Sequence, residues 1–300
     1  MKTYGIRYLI VLIYTFLPLS SFASEHPAAT AYPSKVLYFS VVPKKNFDQQ
    51  IRELRPLIDL LEKDLQKSIK IIRSQSYTAV IEGILSKTID FAILGPASYA
   101  KAKARDNGIE AFASFARKKG AITPKGSYYY SVLFSLKKNG FESVKDVRRK
   151  KIALTDPAST SGSVIPNMAF SKHIGKSLKD YFGTIIYTGS HDRSIRSVLR
   201  EQVHAAFVSS ARIDEAINKQ ILYSNQVKIL WQSDPIHRDP FVFSSGVDNS
   251  VKNQIKRIMF SPSSSLESML QNMNMAGIVA VSDEDYNAIH EIISIQSRKK

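Results

Sequence analysis

The chain has no cysteine among its 300 residues, a single tryptophan, and 26 acidic residues against 42 basic ones. Without cysteine no disulfide can staple the fold and no thiolate can bind a metal or act as a nucleophile, so stability must come from an apolar core. At 44% hydrophobic content the sequence can supply one, which excludes disorder as its general state. The six histidines, His26, His173, His191, His204, His237 and His290, include no close pair at metal-ligand spacing, so a metal site lacks support. Also missing are a Gly-x-Ser-x-Gly elbow, a Walker loop, a Rossmann glycine pattern and a His-Glu-x-x-His helix. Ser135-Leu136-Lys137-Lys138 has the Ser-x-x-Lys spacing of some serine acylases. It falls in or just after a strand rather than at a helix start, so chance explains it better, and no nucleophile stands beside its base. A cofactor-free, metal-free protein that is not an enzyme is expected.

Long apolar runs are also scarce, apart from Tyr8 to Leu19, which follows Lys2 and Arg7 and precedes Ser21-Phe22-Ala23. This pattern predicts a secretory signal peptide over residues 1–23, too short for a comfortable membrane span. No cysteine follows the cleavage site to carry a lipid, and an exported, disulfide-free chain with a large core suits the periplasm. The formal charge of +16 raises anionic partners. The basic residues, however, are spread over predicted helix faces (Lys63, Lys67, Lys101, Lys103, Lys118 and Lys119) without interleaved aromatics. Nucleic acid is therefore not expected as a partner.

What the sequence does contain centres on Lys151 to Phe170, a short apolar strand, a turn and a helix. Pro157 ends the strand, and Ser159, Thr160 and Ser161 stand where a helix N-terminus must satisfy its orphan N–H groups. Gly162 leaves the backbone open to close approach, and Pro166 fits the first turn, placing the helix start at about Ser161 to Ser163. Hydroxyls and N–H groups at the positive end of a helix can hold an anion. Plain N-capping is the competing account, but three consecutive hydroxyls exceed the need of one cap.

Around this stretch, strands and helices alternate. Val36 to Val42, Ile69 to Ile72 and Ile89 to Leu94 read as strands; Phe47 to Gln66 and Thr78 to Ser86 as helices, with another opening at Tyr99 after a Ser98 cap. Such alternation argues for a parallel α/β sheet. Tyr128 to Leu136 reads as one long strand crossing into a second lobe and Phe241 to Ser244 as the return crossing, while the remainder to Lys300 reads as mostly helical and polar. Laying Tyr77 on His191 brings Leu85 onto Leu199, Ala92 onto Ala206 and Leu94 onto Val208, so one unit recurs in each lobe with Tyr77 and His191 at matching helix starts. Ligands of doubly wound sheets sit beyond the carboxyl ends of the strands, where these turns lie. His191 in its Gly-Ser-His-Asp turn can donate to an anion or be a solvated loop residue; Tyr77 and Tyr99 can line a cleft or fill a core.

With these residues in place, the chain resembles the periplasmic phosphate/phosphite/phosphonate-binding proteins of ABC importers, the PhnD-like family, from about Val36 to Ser261. The marks are Ser76-Tyr77-Thr78-Ala79-Val80, Asp90 to Tyr99, Asp156-Pro157-Ala158-Ser159-Thr160-Ser161-Gly162, Gly189-Ser190-His191-Asp192, and Trp231 to Ile236 with Asp239-Pro240-Phe241. The resemblance implies a type II periplasmic binding fold, with two doubly wound lobes joined by two crossings and a cleft between them. On this reading residues 24–127 and 238–300 form lobe 1 and residues 128–237 form lobe 2. It implies that Ser159, Thr160, Ser161 and His191 grip a phosphorus oxyanion, with Tyr77 from the other lobe and Tyr99 beside it, and that an inner-membrane permease is the partner. Relatives that take aminoalkylphosphonates use acidic side chains for the ammonium. Here Ser209-Ser210-Ala211-Arg212 offers none, leaving phosphonate, phosphite or phosphate. A sensor input of the same fold, or a receptor for another small anion, are the rival readings.

Overall fold

The structure, a computed structural model, describes Met1 and residues 36–298; the rest of the expected signal peptide lies outside the described residues. The chain opens with β1 (Val36–Val41), α1 (Phe47–Leu65), β2 (Ser68–Ile71), α2 (Tyr77–Leu85), β3 (Phe91–Ile93), α3 (Pro96–Lys103) and β4 (Glu110–Arg117). Helix α1 starts where the Asn46 side chain accepts from the Gln49 N–H, and it buries Leu54, Leu57, Ile58, Leu61 and Leu65 on one face. Each such leucine contributes roughly 2 kcal/mol of transfer free energy. After a first crossing come β5 (Tyr128–Tyr129), β6 (Ser131–Leu136) and β7 (Lys151–Leu154). A wide helix follows over residues 160–174, ending in the α-turn α4 (Ser171–Ile174). Then come α5 (Leu178–Tyr181), β8 (Thr184–Tyr187), α6 (His191–Leu199), β9 (Ala205–Ser209), α7 (Ser210–Asn218) and β10 (Val227–Gln232). The return passes through β11 (Ile236–His237) into β12 (Pro240–Phe243), and the chain ends with α8 (Asn249–Phe260), α9 (Ser264–Asn272), β13 (Met275–Ala280) and α10 (Asn287–Arg298).

These strands form two mixed sheets, ordered β13-β4-β12-β3-β1-β2 and β10-β6-β9-β7-β8. Within them β2-β1-β3 and β8-β7-β9 are parallel, as the strand–helix alternation requires. In each lobe, however, the strand that arrives from the other lobe, β12 or β6, inserts antiparallel beside the third parallel strand. Both lobes are therefore built alike, and β5 pairs with β11 so that the two crossings form one antiparallel ribbon. Successive residues face opposite sides of a sheet. Accordingly Phe241 and Phe243 pack with α1 in one core cluster and Val242 with α2 in another. In the second lobe Val132 and Phe134 face one cluster and Leu133 the other.

Several expected boundaries shift. Phe241 to Ser244, read as the return crossing, instead belongs largely to β12 inside the first sheet, and the crossing occupies residues 233–239. With neighbours on both edges and cores on both faces, that strand is a continuous apolar run. The long strand at Tyr128 to Leu136 is broken at Tyr130, where the chain passes from ribbon to sheet. Helix α3 begins at Pro96, not Tyr99, because proline suits the first helical position and Gly95 serves as its N-cap. The Ser98 hydroxyl donates to the Ala158 carbonyl at 3.0 Å instead of capping that helix. Strands β4 and β13 were not expected at all.

Candidate functional site

The N-termini of α2, α6 and the wide helix converge on one cavity of about 260 Å³. Ser76 and Ser190 cap α2 and α6 in the same way, each accepting from the N–H three residues on. The first helical residues, Tyr77 and His191, are therefore presented alike, 2% and 3% exposed, and both line the cavity with Ser159, Thr160 and Ser161. Five of the six expected ligand residues thus come together. Tyr99 does not: it is wholly buried in the first lobe, edge-on to Tyr286, with its hydroxyl donating to Asp283 Oδ1 at 2.6 Å. Its place one turn into α3 points the ring at α10 rather than the cleft.

Ser159 is the cap of the wide helix, whose first residue, Thr160, lies one to three residues ahead of the expected start. Its carbonyl accepts from both Ser163 N–H (3.1 Å) and Val164 N–H (2.9 Å), and the second bond, spanning five residues, widens the first turn. Its Oγ accepts from Gly162 N–H at 3.2 Å, while Thr160 and Ser161 occupy the two positions whose N–H groups have no partner within a helix. Thr160 Oγ1 accepts from Ala97 N–H of α3 at 2.9 Å, a bond between lobes. Gly162 proves to be a packing requirement rather than an opening for ligand: a Cβ there would lie 2.2 Å from Thr155 Oγ1.

The state of His191 follows from its partners. Ser209 N–H at 3.3 Å and the Thr155 hydroxyl at 3.2 Å both point at Nδ1, so that nitrogen accepts. The proton then sits on Nε2, which faces Ser159 Oγ at 3.4 Å on the cavity side. Burial, followed by Arg212 and Lys44, pushes the imidazole pKa down to about 3, so the ring is a neutral donor. Burial also holds the Tyr77 hydroxyl well above its ordinary pKa, with Asp239 and Asp156 adding to the effect. That hydroxyl is buried without a partner among the described residues and is available to donate.

The sequence reading did not anticipate the charge around these donors. Lys44, Lys45, Arg117, Arg212, Lys219 and Arg238 all line the cavity, as do Glu53, Glu215 and Asp239. Lys45, beside the first sheet, pairs with Glu53 of its own lobe and reaches Glu215 of α7 at 2.6 Å, while Lys219, the C-cap of α7, reaches Glu53 at 3.2 Å. Arg212 is held by Glu215 and by Asp192 at 2.6 Å, and Lys44 by Asp239 at 2.5 Å. Burial alone would raise the Glu215 carboxyl, but Arg212 and Lys45 outweigh it and hold the group far below the ordinary carboxylate range. Within this group Glu215 has local partners in Arg212, three residues before it, and Lys219, four after it; the rest meet through the fold. The Ser135 and Lys138 pair is ruled out as a unit: Ser135 Oγ donates to the His204 carbonyl at 2.6 Å, and Lys138 pairs with Glu201.

The profile of a family described as "ABC transporter, phosphonate, periplasmic substrate-binding protein" matches residues 39–286. The chain is 23% identical over 298 residues to the phosphate-import protein PhnD of Mycolicibacterium smegmatis, covering 92% of this chain and 91% of that protein. It is 25% identical over 234 residues to the phosphonates-binding periplasmic protein of Escherichia coli, covering 76% and 67% respectively. The fold is shared with PhnD1 of Prochlorococcus marinus, solved in complex with methylphosphonate, at a TM-score of 0.77 and 19% identity, covering 88% of this chain and 98% of that one. Two similarly built lobes, two crossings and a cleft between them make this the type II periplasmic binding fold. The chain belongs to the family of periplasmic substrate-binding proteins of phosphonate ABC transporters.

Proposed function

We propose that the protein is a periplasmic receptor that captures a small phosphorus oxyanion, a phosphonate, phosphite or phosphate, between its lobes and delivers it to an inner-membrane permease. The observation that carries this reading is the meeting of Tyr77 from one lobe with Ser159, Thr160, Ser161 and the neutral His191 from the other on a single cavity. Hydroxyls, a neutral Nε2–H and helix N–H groups suit an oxyanion, because charge-assisted hydrogen bonds hold it without a fixed countercharge. A ligand gripped from both lobes stabilises the closed state over the open one, and closure is what a permease can recognise. The lobes on this reading are residues 24–127 with 238–300, and residues 128–237, and residues 1–23 are a cleaved signal peptide. Among the described residues no helix is long and apolar enough to cross a membrane.

The test is a thermal-shift and calorimetric screen of the chain from Ser24 against methylphosphonate, phosphite, phosphate, sulfate and amino acids. A ligand at a hundred times its Kd stabilises by about 2.7 kcal/mol. A phosphorus oxyanion is expected to shift the protein, and Thr160→Ala or His191→Ala to abolish the shift. Failure of every phosphorus compound at millimolar concentration would reject the assignment.

A further inference from the structure

Four of the six cations lining the cavity are neutralised by carboxylates: Lys44, Lys45, Arg212 and Lys219. Arg117 and Arg238 have no ion pair among the described residues. Arg117 is only 2% exposed and its Nε finds no partner; Nε and Nη1 of Arg238 are also buried without one. The antiparallel register that sets Pro240 opposite Ser114 runs residue 238 past the end of β4, and the charge of Arg238 is felt at Arg117. Both line the same cavity as Ser159 and His191.

The nearby acids, Asp214 and Asp239, act on the arginines through their charge but form their bonds elsewhere. Asp214 accepts from the N–H groups of Ile122 and Thr123, both at 2.9 Å, and Asp239 holds Lys44. Burial lowers the Arg117 pKa to about 10, with Arg238 adding to it and Asp214 opposing it, and burial lowers that of Arg238 as well. Two buried like charges on one cavity are costly unless an anion joins them. The cavity is also larger than a single phosphorus group needs. It measures about 260 Å³, whereas methylphosphonate has only five heavy atoms.

We propose that Arg117 and Arg238 form a second anion subsite, so that the preferred ligand carries a carboxylate or second phosphoryl group in addition to the phosphorus oxyanion. The proposal rests on the reading of Tyr77, Ser159–Ser161 and His191 given above. Planar guanidinium forks match either group bidentately. The neutral donors then hold one end of the ligand and the arginines the other, so ligands with one head and with two are told apart by charge.

The test is titration calorimetry at fixed salt with methylphosphonate, phosphonoacetate and methylenediphosphonate, on the wild type and on Arg117→Gln and Arg238→Gln. The wild type is expected to bind at least one two-headed ligand tenfold or more tighter than methylphosphonate; which of the two it prefers identifies the second group. Each variant is expected to lose at least tenfold on that ligand and threefold or less on methylphosphonate. Equal losses on both kinds of ligand would overturn the proposal, because the arginines would then hold the single phosphorus group. So would a wild type that shows no preference. If the wild type binds none of the three but does bind phosphite or phosphate, this proposal alone is overturned; if it binds no phosphorus compound, the underlying oxyanion reading fails and takes this one with it. The apo variants are expected to melt no lower than wild type, having lost one of two repelling charges. Should Arg117→Gln fail to fold, Arg117→Lys, which keeps the charge but loses the fork, must still weaken the two-headed ligand selectively.

Discussion

Lowering the pH from 7 to 5 is expected to cost the unliganded protein about 2 kcal/mol of stability through His191 alone, and His191→Gln to remove that loss. The folded imidazole has a pKa near 3, depressed by burial and by Arg212 and Lys44. In the unfolded chain its value is about 6.5. Because the folded pKa is the lower one, the unfolded chain binds the extra proton first. The contribution is complete above about pH 6.5 and is lost progressively as pH falls towards 3. Between pH 7 and 5 the unfolded state gains about 1.4 pKa units of protonation free energy, at 1.36 kcal/mol each. The depressed carboxylates, Glu215 among them, lose their contribution only below about pH 4.5, and groups common to both proteins cancel in the difference. Glutamine keeps a donor in place but does not titrate. Urea unfolding of both proteins at pH 7, 6 and 5 makes the measurement, with the slope m checked for constancy. Equal losses in wild type and variant would refute the neutral, buried assignment of His191.

Three further outcomes are expected. Glu215→Gln leaves Lys45, Lys219 and Arg212 without their shared partner and breaks the inter-lobe pair with Lys45; it should destabilise by about 3 kcal/mol and raise the apo radius of gyration in solution scattering, and an unchanged radius would deny the Lys45–Glu215 pair a role in closure. Gly162→Ala drives a methyl into Thr155 and should cost about 3 kcal/mol in urea unfolding, whereas a near-neutral result would mean that the turn yields. Tyr99→Phe removes the bond to Asp283 and should cost about 1 kcal/mol while leaving the Kd of methylphosphonate within error; a tenfold weakening would return Tyr99 to the site.

Where the reading from sequence failed, the missing information was non-local. Strand β4, Glu-Ala-Phe-Ala-Ser-Phe-Ala-Arg, is rich in alanine, which has little strand preference, and it is a strand because β12 and β13 from far along the chain flank it. Strand β13 contains Gly277 and at the sheet edge buries little, so its apolar signal is weak. Tyr99 and Tyr77 look equivalent in sequence, each beside a turn at the end of a strand. Only the start of α3 at Pro96 rotates Tyr99 into the core.

By itself, the sequence determined the features that depend on neighbours along the chain: the apolar periodicity of α1, the Ser76 and Ser190 caps that set Tyr77 and His191 at matching helix starts, and the hydroxyl turn after β7. Capping and periodicity act within a few residues, so they can be read locally. Only the tertiary structure decided which nitrogen of His191 carries the proton, which lysines find acids, and that Arg117 and Arg238 line one cavity without an ion pair among the described residues. Those outcomes depend on desolvation and on charges separated by tens to hundreds of residues, and neither exists until the two lobes are packed.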